Sequence, residues 1–281
     1  MSSSMSSNVL APGSFIGRVD TQWKTGLVDL SVVVHDHALD VPVHAHERMF
    51  FCVLLRGSYR EFVGDRTIEY QPLSIVYHPE GLEHHDHIGP GGARFLTLEV
   101  APGLLGGELR RRRPLSSVSE LASDTAVWRM LRLFREAKAG GMMPVSLEEQ
   151  AGELVDVVAG TAAEHPRRSP SWLPRVDDFV GEHFRDPVSL ADIAGIADVH
   201  PVYLSRAFRH FRGQPIRSVV HQRRVRYACE LLQRTDRSLA TIAVDAGFFD
   251  QSHMTRMFRR VTGMTPGRIR HLLAGVDRDQ D

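Results

Sequence analysis

One pattern is written twice in the last hundred residues of this 281-residue chain. The first copy runs Ser189-Leu190-Ala191-Asp192-Ile193-Ala194 and continues through Leu204, Arg206, Phe208, Arg209 and Gly213. The second runs Ser238-Leu239-Ala240-Thr241-Ile242-Ala243 and continues through Met254, Arg256, Phe258, Arg259 and Gly263. A repeat on this scale reports a repeated structural unit. Here the unit is a short helix, a tight turn and a longer helix, the outline of a helix-turn-helix whose second helix is shaped to lie in a DNA major groove. Two units in tandem predict a chain able to read two successive groove faces of double-stranded DNA.

The charge pattern points the same way, although the whole chain balances 34 basic against 34 acidic residues. From Val199 to Arg270 there are 14 Arg and 4 acids (Glu230, Asp236, Asp245, Asp250), a net of +10. Residues 1–198 carry 19 basic and 27 acidic side chains, a net of −8, and the last eleven residues supply the remaining −2. A basic module joined to an acidic one is the footprint of a nucleic-acid reader attached to a partner domain. The two cysteines, Cys52 and Cys229, fall in separate apolar stretches. They predict no disulfide framework and fit a cytoplasmic location. No stretch approaches the roughly 20 apolar residues that cross a bilayer, so no membrane partner is expected. Residues 1–14 lack the charged and apolar regions of a signal peptide and are expected to be a disordered tail.

Residues 15–105 alternate short β-branched segments with turn residues. Leu27–Val34, Met49–Leu55 and Arg94–Val100 are predicted strands, separated by turns at Gly57, Gly64-Asp65, Pro72 and Pro79-Glu80-Gly81. Strands at this spacing without helices between them predict an antiparallel barrel or jelly roll. Residues 106–165 change pattern. Asp124 is placed to cap a helix with Val127, Met130, Leu131 and Phe134 on one face, ending at Gly140-Gly141. A second helix carries Leu147, Ala151, Leu154, Val155 and Val158. This pair either forms a homodimer interface or packs on the β domain. The run Arg110–Arg113 reads as solvated linker. Residues 166–174 read as the interdomain linker, 175–275 as a helical domain and 276–281 as a tail. The chain is thus α+β: a β-barrel followed by an all-α domain.

Seven helices are predicted in that domain, at about 175–184, 190–197, 201–211, 217–233, 239–246, 250–261 and from Pro266 onward. Leu190/Leu239, Ile193/Ile242, Leu204/Met254 and Phe208/Phe258 are expected to be core. Val202, Ser205 and Arg206 share the outward N-terminal face of the first recognition helix; Gln251, Ser252, Thr255 and Arg256 share that of the second. These side chains can bond base edges or phosphates. Arg209 and Arg259, with Arg212, Arg223, Arg224 and Arg260, are expected at phosphates or in surface ion pairs.

The segment from Val176 to Leu272 resembles the AraC/XylS family of bacterial regulators. The resemblance rests on Leu239-x2-Ile242-Ala243-x3-Gly247-Phe248 followed by Phe258-x4-Gly263-x-Thr265-Pro266. It implies two helix-turn-helix units joined by a long central helix and docked in neighbouring major grooves, with the residues just named at the base-facing positions. The first repeat departs from the pattern where Ile216 stands in place of a proline and Pro215 comes one residue early.

Eight of the 15 histidines lie between His35 and His87. His44-Ala45-His46 is placed at the start of a strand, where period two turns both rings to one face. It is followed by Pro79-Glu80-Gly81-Leu82-Glu83-His84, while His85 and His87 are expected on loop surface. This pairing resembles the two motifs of the cupin superfamily. It implies that His44, His46 and His84 could ligate a divalent metal such as zinc; the family's glutamate ligand is missing, with Phe50 near its place. The alternative is a metal-free ligand pocket.

Together these readings predict a bacterial transcriptional regulator, an activator by the habit of the resembled family, that binds promoter DNA, answers a small-molecule effector and can contact RNA polymerase. The alternatives are a metal-responsive regulator and a cupin enzyme tethered to DNA. Without the glutamate or a second acid–base constellation, the chain is not expected to be an enzyme.

Overall fold

A computed structural model describes residues 8–104, 119–121, 124–140, 143–162 and 169–275. The chain divides into two compact units, residues 1–163 and 164–281.

The first unit is one curled, mainly antiparallel sheet, a cupin-like half-barrel. Its strands are β1 (Asn8–Leu10), β2 (Arg18–Lys24), β3 (Val28–His35), β4 (Leu39–His46), β5 (Met49–Val63), β6 (Arg66–Tyr70), β7 (Ile75–His78), β8 (His84–Val100) and β9 (Ser119–Leu121). The main path runs β1-β4-β8-β5-β7-β9, with β3 also pairing β8, β2 pairing β3 and β6 pairing β5. The 15-residue β5 and the 17-residue β8 pair almost end to end, from Met49↔Val100 to Phe62↔His85.

So long a pair must bend to curl the sheet. It does so at bulges next to Gly57 and Gly92, both at positive φ. A Cβ on Gly57 would stand 2.0 Å from the Gly92 carbonyl oxygen, so only glycine fits. Gly57 is therefore a bend inside a strand, not the predicted turn.

Period two then sorts the side chains. One face carries Val33, Phe50, Cys52, Tyr59, Ile88 and Phe95 toward the interior of the curl. The opposite set, including Leu30, Val32, Phe51, Val53, Leu96 and Leu98, is equally buried. On that side Trp23, paired with Leu30, meets Phe134 edge-on at 5.9 Å between ring centres. Phe134 belongs to α1 (Asp124–Lys138), which packs with α2 (Pro144–Ala162). Val127, Met130, Leu131 and Phe134 of α1 and Leu147, Ala151, Leu154 and Val155 of α2 are all buried.

Several expectations need correction here. Residues 8–10, assigned to the tail, form β1, which pairs in parallel with 44–46 of β4. Residues 119–121, assigned to a helical linker, form β9 against β7; three residues are too few for a periodic signal, and pairing alone makes the strand. The His44-Ala45-His46 motif ends a strand instead of starting one. His85 and His87 are not in a loop: they lie on β8, alternating with buried His84 and Asp86. The Arg110–Arg113 run, Gly141 and residues 276–281 lie outside the described residues.

The second unit holds α3 (Leu173–His183), α4 (Leu190–Ala197), α5 (Pro201–Arg212), α6 (Ile216–Arg234), α7 (Leu239–Asp245), α8 (Gln251–Thr262) and α9 (Pro266–Ala274). Ser189 and Asp192 close a reciprocal capping box on α4, and the Ser238 hydroxyl caps α7 through the Thr241 amide. Ile193, Leu204 and Phe208 fill one bundle; Ile242, Met254 and Phe258 fill the other. Leu190, the first residue of its helix, does not join them and is 40% exposed, while Leu239 is half-buried.

Between α7 and α8 the chain turns at Gly247, at φ +79°. A Cβ there would lie 2.3 Å from the Arg185 carbonyl oxygen and 2.7 Å from its Cα. Gly247→Ala therefore combines left-handed strain with a backbone clash. It should lower stability of the helical unit by about 1–3 kcal/mol, read from the denaturant midpoint of the helical signal. An unchanged midpoint would contradict the close approach.

Candidate functional sites: two recognition helices and a histidine-lined pocket

The helix-turn-helix units are superimposable in logic. Each second helix buries a three-residue stripe, Leu204, Ala207 and Phe208 in α5 and Met254, Phe258 and Thr262 in α8, and turns its other faces to solvent. α5 opens on Pro201 with the His200 ring accepting the Val202 amide; α8 opens on the Asp250 carboxylate, which accepts the His253 amide at 2.6 Å.

Val202, Ser205, Arg206 and Arg209 are exposed on α5, and Gln251, Ser252, Arg256 and Arg259 on α8. Thr255 differs. It is half-buried, and its hydroxyl donates back to the Gln251 carbonyl at 2.9 Å, which occupies it within its own helix. The remaining arginines divide. Arg212 is held by Asp177, and Arg224 donates to the Phe184 and Asp186 carbonyls, bracing α6 against the end of α3. Among the described residues Arg206, Arg209, Arg256 and Arg259 make no ion pair, so their charge faces outward.

The β domain builds a second site on its inner face. His44 on β4 and His84 on β8 are directly opposed in register, their ring centres 4.2 Å apart; His46 lies 5.3 Å from His44. All three are buried, and one ring nitrogen from each lies within 4.8 Å of the others. The His44 Nδ1–H donates to the Pro42 carbonyl at 3.0 Å and the His84 Nδ1–H to the Leu82 carbonyl at 3.1 Å. A carbonyl only accepts, so both rings keep Nε2 as the lone-pair nitrogen. His46 Nδ1 faces Glu99 Oε1 at 3.6 Å. Glu99 is fully buried, and its other oxygen accepts the Gly13 amide.

This is the arrangement that orients imidazoles toward a cation. Burial depresses His44, and burial together with His78 pushes His84 down to about 3, so both stay neutral, the form that ligates. The donor set therefore fits a divalent transition metal. His46 Nδ1 and Glu99 Oε1 are buried without a hydrogen bond.

Beside this triad lies a set not singled out in the sequence. Glu61 Oε1 accepts from His78 Nε2 at 2.8 Å and Glu61 Oε2 from the Tyr70 hydroxyl at 2.8 Å. Burial would raise the Glu61 pKa, but His78, with His84 and Tyr70, holds it down to about 2. Tyr59 donates to Asp86, which burial and the Glu61 charge push up to about 7. Glu61, His78 and His84 also bring ligand atoms within 4.8 Å of one another. Phe50, in place of the family's glutamate, stacks flat on His78 at 4.1 Å. The pocket above these groups is walled by Phe15, Ile16, Val33, Phe50, Ile88 and Phe95.

A tandem pair of helix-turn-helix units with outward arginines defines a DNA-binding transcriptional regulator. Residues 193–271 match a family described as a helix-turn-helix domain. The regulatory protein SoxS of Escherichia coli (strain K12) is 33% identical over 95 residues, 34% of this chain and 89% of SoxS. The bifunctional transcriptional activator/DNA repair enzyme AdaA of Bacillus subtilis is 25% identical over 101 residues, 36% of this chain and 48% of AdaA, so the chain spans about half that relative's length. A solved structure of ToxT from Vibrio cholerae aligns over 89% of this chain and all of that one, at 12% identity and a TM-score of 0.38. The chain belongs to the AraC/XylS family.

Arg256→Ala should weaken binding to a selected site by about 1–3 kcal/mol if the side chain reads a base, measured by fluorescence anisotropy on selected and random duplexes. Equal losses on both would make Arg256 a phosphate contact.

Proposed function

We propose that this regulator binds promoter DNA through both recognition helices and takes its input in the β domain from a divalent transition metal held by His44, His46 and His84. The carrying observation is the convergence of three buried imidazoles, two with Nε2 set free by carbonyl-bound Nδ1 and the third backed by Glu99. Three imidazole nitrogens with an open fourth position suit zinc or a neighbouring metal. The metal would supply a Lewis-acidic coordination position; the apolar wall would set which small polar effector can reach it. Val202, Ser205, Arg206, Gln251, Ser252 and Arg256 are assigned to base edges, and Arg209 and Arg259 to phosphates. Thr255 is assigned a supporting place, given its bond to Gln251.

The role is regulatory, not enzymatic. The outcome is activation through contact with RNA polymerase in the cytoplasm. No helix among the described residues is long and apolar enough to cross a membrane. Val127, Met130, Leu131 and Phe134 of α1 and Leu147, Ala151, Leu154 and Val155 of α2 are buried within the unit, so homodimerisation through this pair would have to use their outer, more polar faces. A second reading, an organic effector with no metal, is favoured by the apolar wall of the same pocket.

Elemental analysis of the untagged protein and of its His44→Ala/His46→Ala variant separates them. Near-stoichiometric zinc, iron, manganese or nickel in the parent and its loss in the variant are expected. A metal-free parent that takes up no added metal leaves the organic-effector reading. Stripping the metal should also shift DNA affinity by about 1–3 kcal/mol, the usual size of an allosteric coupling, in anisotropy titrations. An unchanged affinity would make the metal structural.

A further inference from the structure

The two helix-turn-helix turns differ by one residue, and that residue is Phe249. The turns share a frame. Asp198 and Gly247 both take the left-handed conformation, at φ +53° and +79°. The Val199 and Phe248 amides both bond back to an alanine carbonyl, Ala194 and Ala243. His200 and Asp250 then cap α5 and α8. Val199 leads directly to its cap, whereas Phe249 stands between Phe248 and Asp250.

The first unit makes its turn without such a residue, so the fold does not require it. The adjacent phenylalanines have opposite fates: Phe248 is buried and meets the His253 ring edge-on, while Phe249 is 88% exposed. Its backbone is held, since the Phe249 amide donates to His253 Nδ1 at 3.3 Å. The aromatic ring is thus presented from an anchored position at the N-terminal end of α8, the end of a recognition helix that reaches base edges. It lies just before the exposed Gln251 and Ser252, in a segment with a net charge of +10 over residues 199–270.

We propose that Phe249 is a specificity-determining residue that reads the 5-methyl group of thymine in the major groove. Thymine's methyl is the apolar mark on the major-groove edge, and phenylalanine is among the side chains that contact it. The inference rests on α8 being a recognition helix.

The full-length parent and Phe249→Ala are each used to select sites from a random duplex library. Binding is then measured on the parent's selected duplex with each thymine replaced in turn by deoxyuridine, which removes only the methyl. Burial of one methyl corresponds to about a fourfold change in affinity. The parent should lose about that factor at one or two uracil positions in the half-site of the second unit. Phe249→Ala should bind the thymine and uracil duplexes equally there and select those positions less sharply, with an unchanged melting temperature. The proposal is overturned if the variant selects the same thymines with the same thymine-to-uracil ratio, or if it loses affinity uniformly on all DNA. A parent that selects no sequence at all overturns the reading of α8 as well. A variant unchanged on DNA but impaired in promoter transcription would transfer Phe249 to RNA polymerase and overturn the thymine assignment.

Discussion

The β domain depends on the long pairing of β5 with β8. The inner face of the curl takes residues from both ends of these two strands. Met49–Val53 runs beside Glu99, and Tyr59–Glu61 runs beside Asp86 and Ile88. Without the bend at Gly57 and Gly92 the two ends would lie far apart on a flat ribbon, since each residue of a strand advances the chain by about 3.3 Å. The bend lets one pocket draw its imidazoles and carboxylates from four strands. The sheet also fixes their partners: Glu99 on β8 is fifty-three residues from His46 on the neighbouring β4, yet backs its ring.

Burying this many ionisable groups is costly unless they neutralise one another. His78 with Glu61, and Tyr70 and Tyr59 as donors, meet part of that need. The His46–Glu99 contact at 3.6 Å, with neither atom hydrogen-bonded, meets it less well. Leaving such atoms unsatisfied costs stability, and His46 is one of the three converging histidines.

The helical unit solves a different problem. Each small bundle has few core positions, so caps and one tight turn carry much of the definition. Arginines that would be expensive inside are either tied down as braces, as Arg224 is to two carbonyls, or left on the solvent faces of α5 and α8. The division between bracing and outward arginines is a tertiary fact; the residue type is the same in both.

Helical periodicity, capping residues and the duplicated pattern made the DNA-binding half legible, because helices are local and their signals recur every three or four residues. Leu190 misled for a related reason: the repeat shows that a residue recurs, not which way its helix end faces. In the β half, His44 and His46 share a face by strand geometry alone, and His84 was reached through a family motif. Glu61, His78, Asp86 and Glu99 carried no local signal, since their proximity is set by register between strands far apart in sequence. The amino-acid sequence by itself determined that two DNA-reading units exist and where their helices lie. Only the tertiary structure decided which buried carboxylates back the histidines, which arginines remain outward and that Phe249 stands exposed, because each of these depends on non-local packing.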